Sequence, residues 1–123
     1  MTTPSGSPPP RHRLPVTSTS IRHRFKVGDC KCYLSVGLFP DGSPGELFLW
    51  ISKKGSTISG FADSFAVMVS LGLQYGIPLV DLCRKFIGVK FEPDGLTGNE
   101  EIPIARSVVD YVFRWMEKRF VKL

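Results

Sequence analysis

The chain has 123 residues, of which 42% are hydrophobic and 22% charged, as in an ordinary single globular domain. No stretch approaches the roughly 20 apolar residues of a membrane span, and the N-terminus has no apolar signal region. Three cysteines form no disulfide framework, which indicates a reducing compartment. We therefore expect a cytoplasmic protein with no membrane partner.

The net charge of +5 is unevenly distributed along the chain. The first 24 residues contain four arginines and no acidic residue, whereas the remainder holds twelve basic and eleven acidic residues. We interpret residues 1–22 as a disordered Pro/Ser/Arg-rich arm or linker and residues 23–123 as one folded domain. Because the folded part is then nearly neutral, the charge disfavours nucleic acid as a partner.

The first folded elements are predicted to be strands. Apolar and other residues alternate from Cys32 to Phe39, dense turn chemistry follows at residues 40–45, and a second alternating run covers residues 46–52. Residues 23–27 are expected to add a third strand. Together these segments predict a small antiparallel meander whose aliphatic face covers a central helix.

The opposite face of that sheet is rich in aromatic side chains, with Tyr33, Phe39, Phe48 and Trp50. Three interpretations remain open for it. The C-terminal helix or the arm covers it, it contacts another protein or domain, or it stacks the bases of a single-stranded nucleic acid.

The central helix is predicted from about residue 60 to residue 75. It is apolar nearly all round, with a narrow polar stripe at Asp63, Ser70 and Gln74, so we expect it to be buried over most of its surface. Ser59 is the predicted N-cap, and Gly76 fits the position just after the helix.

Two further helices complete a predicted α+β fold. A short amphipathic helix starts at Pro78 and stops before Gly88, and Pro103 is expected to open the last helix after a loop at residues 94–99. Phe113 lies toward the polar side of that last helix. It is therefore interpreted as an interface residue or an exposed aromatic.

The loop before the central helix is a candidate anion- or nucleotide-binding site, because amides at a helix N-terminus attract anions. Its residues are Lys53, Lys54, Gly55, Ser56, Thr57, Ser59 and Gly60. The order differs from the Walker motif, in which the lysine follows the glycines. The alternative is a tight strand-to-helix connection with a serine cap.

Residues that could carry chemistry are few. Cys30 and Cys32 lie on the same side of a strand and could form half a metal site, for which His23, Cys83 and the tail residue His12 are the distant additions. No nucleophile and base stand at informative spacing. We predict no metal site and no catalytic residue.

Several runs resemble the C-terminal, TSCPD-type segment of adenosylcobalamin-dependent ribonucleotide reductases. They are residues 11–15, 36–38, 44–48, 54–60, 70–78, 91–93, 98–103 and 107–111.

The resemblance implies an accessory domain of DNA-precursor synthesis and nucleotide metabolism rather than a complete enzyme. Reductases of this family carry their radical chemistry and adenosylcobalamin in a large barrel that 123 residues cannot hold. TSCPD-type relatives carry cysteines in two places, and this chain departs from both: Phe91 stands where a Cys-Pro step would fall, and Glu101-Ile102-Pro103 stands where Ser-Cys-Pro would fall. We expect no cofactor on this chain and a reductase catalytic chain as its partner. The alternative is an independent module that binds single-stranded nucleic acid or nucleotides through the basic arm and aromatic face.

Overall fold

The computed structural model describes residues 9–52 and 55–121, and within them five strands and three helices form an α+β fold. In chain order the elements are β1 (Thr19–Val27), β2 (Cys30–Leu38), β3 (Pro44–Ile51), α1 (Ser56–Gln74), α2 (Leu79–Phe86), β4 (Gly95–Asn99), β5 (Ile102–Ala105) and α3 (Val108–Phe120). Strands β1, β2 and β3 form an antiparallel sheet in that order, and β4 pairs with β5. The predicted meander and the predicted fold class are confirmed.

The strand register divides the three-stranded sheet into two faces. His23 lies opposite Leu34, which lies opposite Leu49, and this row belongs to the inner face. Because side chains alternate along a strand, the neighbouring residues point to the outer face. The inner face carries the aliphatic core of the sheet, as the alternation predicted.

Helices α1 and α3 cover the inner face. Helix α1 packs along β3, while the ring of Tyr111 in α3 stacks on Phe25 of β1 with centroids 4.2 Å apart. Phe113 is fully buried, stacked on Phe86 of α2 at 5.1 Å. The interpretation of Phe113 as an interface residue or exposed aromatic is therefore wrong, because α2 covers the side of α3 that faces away from the sheet.

Helix α1 differs from its prediction in where it starts and in which side it buries. It begins at Ser56 with Gly55 as its N-cap, so Ser59 is not the cap. The polar residues Ser70 and Gln74 point inward and are buried. The expectation that the helix is buried over most of its surface is wrong, since Phe61 is 74% exposed.

The inward polar residues of α1 bond to the edge strand β3. The Leu47 N–H donates to Ser70 Oγ at 2.8 Å, and Gln74 Nε2 donates to the Gly45 carbonyl at 2.9 Å. Ser70 Oγ also donates to the carbonyl of Ala66, one turn earlier in the helix. Buried strand-edge groups thus find partners on the helix, as buried backbone polar groups require.

By length and composition α1 would be able to cross a membrane, contrary to the expectation that no stretch approaches a span. Such a helix is also what the core of a globular domain contains. In this fold its side chains Ser70 and Gln74 are bonded to β3 instead.

The segment before the last helix is a hairpin rather than a loop followed by a helix. Residues 95–99 form β4, Pro103 lies inside β5, and α3 begins only at Val108. Ser107 is the N-cap, and its Oγ accepts from the Asp110 N–H at 2.9 Å. The Ser-x-x-Asp spacing is a capping signal at this position, and it outweighs the preference of proline for the first turn.

Part of the predicted arm is ordered against the domain. Arg11 Nε donates to Gln74 Oε1 at 2.6 Å, and the His12 N–H donates to the Gln74 carbonyl at 2.9 Å. Strand β1 begins at Thr19, so the predicted boundary at residue 22 falls inside a strand. Residues 1–8 of the predicted arm lie outside the described residues.

We expect Gln74→Ala to destabilise the domain by about 2 kcal/mol, because it removes the partner of the buried Gly45 carbonyl and of Arg11. Urea unfolding followed by circular dichroism measures this loss. The control is Asp63→Ala on an exposed position of the same helix, which we expect to stay within about 0.5 kcal/mol of the wild type. Equal stability of the two variants would contradict a structural role for the Gln74 amide.

Candidate functional site

The outer face of the three-stranded sheet brings together three of the predicted interface residues. Tyr33, Phe48 and Trp50 share this face, and the rings of Tyr33 and Trp50 stack with centroids 5.3 Å apart. Phe48 is 57% exposed and Trp50 is 49% exposed, so the described part of the chain does not cover them. Their role in binding remains a prediction.

The other two predicted interface residues lie elsewhere. Phe39 follows β2 at the turn into β3, and a Cβ built on Gly45 would lie 2.5 Å from its ring. Its half-buried ring therefore fills the space that the glycine leaves open. Phe113 belongs to the core, as described above.

A row of basic side chains runs beside the aromatic group on the same outer face. Arg22, Arg24 and Lys26 of β1 point outward with Lys31 of β2, and all four are exposed. The guanidinium of Arg22 lies 5.0 Å from the centre of the Tyr33 ring. The sequence assigned Arg22 to a flexible arm and missed this row, although the alternation that ends at Phe25 could have been followed backward through it.

A shallow hollow of about 390 Å³ opens between the basic row and the aromatic group. Its lining includes the outward side chains of Arg24, Lys26, Lys31, Tyr33 and Trp50, together with the buried residues Phe25, Cys32 and Thr97. Cations and flat rings therefore border one concave surface, which can attract an anion and stack a planar group.

A second open surface lies on α1. Ile58, Phe61, Phe65 and Met68 follow one another at spacings of three, four and three residues, and we call this set the apolar seam. Alternating spacings of three and four place residues on one helix face in the way of a coiled-coil contact. Phe61 and Met68 are exposed, Met68 to 68%, while Phe65 packs edge-on against Phe86 of α2.

A groove of about 410 Å³ adjoins the apolar seam. Its walls are almost entirely apolar and come from β3, α1, the segment before β4 and the start of α3. Phe91 and Val109 line it together with Phe61 of the seam. An apolar ridge of a partner could therefore bury surface on both sides.

The candidate anion loop is only partly described. Lys53 and Lys54 lie outside the described residues. Gly55 caps α1 without a side-chain hydrogen bond, and the hydroxyl residues Ser56, Thr57 and Ser59 belong with Gly60 to the first turns of the helix rather than to a loop. Anion or nucleotide binding at this position remains a prediction.

The cysteines are buried inside the fold. Cys30 Sγ and Cys32 Sγ are 4.0 Å apart on one side of β2, as predicted. Within residues 9–52 and 55–121, no three His, Cys, Asp or Glu side chains are grouped so as to hold a metal ion. Cys83 donates to the Phe113 carbonyl at 3.6 Å, and burial, assisted by Glu117, raises its pKa to about 11.

We expect the Cys83 thiol to react very slowly in the folded protein, because a pKa two units above the ordinary 9.0 leaves about a hundredfold less thiolate. The Cys30→Ala/Cys32→Ala variant isolates this thiol. Its initial rate with a disulfide reagent at about pH 8 is compared with and without denaturant. Equal rates in the folded and unfolded states would contradict the burial of Cys83.

A polar network joins β1, α3 and the end of β4. His23 Nε2 and Tyr111 Oη are 2.8 Å apart, and Asn99 Nδ2 donates to the same oxygen at 2.9 Å. Trp115 stacks on the His23 ring at 4.9 Å. Burial lowers the pKa of His23, with a smaller contribution from the charge of Arg119. This environment favours a neutral imidazole that holds the two layers together.

We expect the stability of the domain to fall as the pH drops below about 6.5, the ordinary pKa of histidine. Below that value the unfolded chain binds a proton at His23, whereas the folded chain does not until the pH reaches its lowered pKa. The free energy of unfolding therefore decreases over this interval. Urea unfolding at about pH 7.5 and about pH 5.5 measures the change. His23→Gln should lose less stability over that interval, and an unchanged pH dependence would contradict the assignment.

Comparison with known proteins identifies the family. The pattern of the TSCPD domain matches residues 8–120, which is nearly the whole chain. The chain belongs to the TSCPD domain family. No solved structure matches it.

Proteins named vitamin B12-dependent ribonucleotide reductase resemble this TSCPD domain in sequence. The protein of Rhodopirellula baltica is 49% identical over 113 residues, which are 92% of this chain and 11% of that protein. The protein of Streptantibioticus cattleyicolor is 43% identical over 92% of this chain and 19% of its own length. That of Agrobacterium fabrum is 42% identical over 85% of this chain and 8% of its own length. The chain thus spans less than a fifth of these relatives.

Three of the runs that carry the resemblance meet at one place in the TSCPD fold. Arg11 from the first, Gly45 from the β3 run and Gln74 from the end of α1 are joined by the hydrogen bonds described above. These runs therefore hold the scaffold together. The residues of the outer face of the sheet and of the apolar seam take no part in these hydrogen bonds.

Proposed function

We propose that this TSCPD domain serves as an accessory domain of a vitamin B12-dependent ribonucleotide reductase. It docks to or completes a reductase catalytic chain in the cytoplasm, and that chain carries the adenosylcobalamin and forms the deoxyribonucleotides. The domain does not turn over substrate alone. Two findings support this proposal. The chain belongs to the TSCPD family, and it matches a small part of much longer proteins named vitamin B12-dependent ribonucleotide reductase.

The apolar seam is the observation that carries the docking role. Phe61 and Met68 are large apolar side chains left in water on a helix that turns the polar residues Ser70 and Gln74 inward. Such exposure is typical of a contact surface, because a patch of this kind gains hydrophobic free energy only when a partner covers it.

The residue spacing of the apolar seam also indicates which kind of structure packs on it. Spacings of three and four residues fit a helix that packs alongside α1, and the adjoining groove by Phe91 accepts a bulky side chain from that helix. We infer that a helix of the reductase catalytic chain lies on the seam. Apart from Glu92, the residues that line the groove are apolar, which agrees with an apolar contact.

The experiment compares two changes on the same helix. Phe61→Glu/Met68→Glu places charge on the seam, whereas Val67→Glu changes a side chain that is also 56% exposed but lies on another side of α1. Each protein is mixed with a reductase catalytic chain from which the matching segment has been deleted. Complex formation is measured by calorimetry and deoxyribonucleotide formation by product analysis.

We expect the wild-type domain to bind and to raise deoxyribonucleotide formation. The seam variant should bind at least about tenfold more weakly, because buried charge at an interface centre is costly, and Val67→Glu should resemble the wild type. Undiminished binding of the seam variant would refute docking through α1. Self-association of the wild type, or its binding to lipid vesicles in place of the catalytic chain, would assign the seam to another occupant.

A further inference from the structure

The outer face of the three-stranded sheet carries a charge pattern that the docking role does not use. Its basic side chains form one row, Arg22, Arg24 and Lys26 on β1 with Lys31 next to them on β2. Its rings are the half-buried Tyr33 on β2 and the exposed Phe48 and Trp50 on β3. The register therefore separates cations and rings into parallel columns.

We propose that this outer face binds a single-stranded polynucleotide. The phosphates lie along the basic row of β1, and the bases lie across the rings of β2 and β3. This arrangement is supported by strand geometry, because successive outward residues on β1 are about 6.6 Å apart and β3 lies about 9.6 Å from β1. A single-stranded polynucleotide is bound by this combination, with positive charge along one edge for its phosphates and aromatic rings beside it for its bases.

The individual side chains are disposed for these roles. The flat ring of Trp50 is 49% exposed and is supported from one side by Tyr33, so it can receive a base without rearrangement of the sheet. Arg24 and Lys31 border the hollow next to it, where a phosphate would lie between them. Base stacking of this kind tolerates any sequence, since every base has a flat face.

The acidic neighbours define where the bound strand would end. Glu46 occupies the far end of the outer face, opposite Gly37, and Asp63 of α1 borders the corner next to Phe48 and Trp50. Both carboxylates repel a phosphate, so the bound segment should follow the rows of Arg22, Arg24 and Lys26 and leave the face before Glu46.

An acidic protein segment suits this surface less well. Carboxylates would satisfy the cations, but they would leave Phe48 and Trp50 exposed beside them. The charge argument that disfavoured nucleic acid counted Arg22 and Arg24 with the N-terminal segment rather than with the fold, whereas the structure places both in β1 next to the rings. The folded domain is therefore more basic on this face than its sequence indicated.

The test uses a fluorescein-labelled oligothymidylate and the matching oligouridylate, with binding measured by anisotropy on the full chain. Arg24→Gln/Lys31→Gln removes two charges from the outer face. Arg84→Gln/Lys85→Gln removes two exposed charges from α2 and is the matched control. Trp50→Leu removes the stacking ring. Thermal unfolding confirms that each variant is folded.

Four phosphate contacts to a single strand predict a salt slope of about −2.8, or about a fiftyfold loss of affinity between about 50 and about 200 mM salt. The Arg24/Lys31 variant should show about half that slope, whereas the α2 control should match the wild type. Trp50→Leu should weaken binding about tenfold with its slope unchanged, because stacking carries no counterions.

Three results would overturn the proposal. The first is no binding of either oligonucleotide at low salt, and the second is equal weakening by the α2 control. The third combines two observations: polyglutamate or inorganic polyphosphate displaces the labelled oligonucleotide as strongly as unlabelled oligonucleotide does, and Trp50→Leu has no effect on binding. Together they would indicate a surface that recognises charge alone. The Phe61→Glu/Met68→Glu protein should still bind oligonucleotide, so failure here and failure of reductase docking are separate outcomes.

Discussion

The attachment of α1 to the edge strand β3 through Ser70 and Gln74 is the interaction on which the rest of the structure depends. An edge strand presents unpaired backbone groups, and burying them without partners costs free energy. Here the helix supplies those partners for Leu47 and Gly45. This requirement fixes the rotation of α1, since its two buried polar side chains must face the strand.

That fixed rotation accounts for both open surfaces. With Ser70 and Gln74 turned inward, the large apolar residues Phe61 and Met68 are left on the solvent side. Because α1 and α3 both occupy the inner face, no helix within residues 9–52 and 55–121 covers the outer face, and its rings and cations stay accessible. The apolar seam lies on α1 and the rings and cations lie on the outer face of the sheet, so one occupant need not displace the other.

Local sequence patterns revealed the sheet, the end of α1 and the extent of α2, but neither the starts of α1 and α3 nor the orientation of α1. Alternation in β2 and β3 shows which residues share a face, and therefore it placed Phe48 and Trp50 together. A polar stripe on a helix normally faces water, so the pattern predicted the opposite orientation. The hydrogen-bond partners of Gln74 lie 29 and 63 residues away in the sequence, and local periodicity gives no information about contacts at that separation. The same long range hid the burial of Phe113 under α2. The short β4–β5 hairpin offers too few residues for a periodic signal.

The anchored segment ahead of β1 has a consequence for how the domain is held. Leu14 lies where a side chain on Gly37 or Gly45 would collide with it, and Arg11 and His12 are tied to the last turn of α1. The segment around residues 11–14 is therefore packed and hydrogen-bonded against the domain rather than free in solution. In proteins where such a segment links two domains, an attachment of this kind shortens the free span between them and raises their effective concentration.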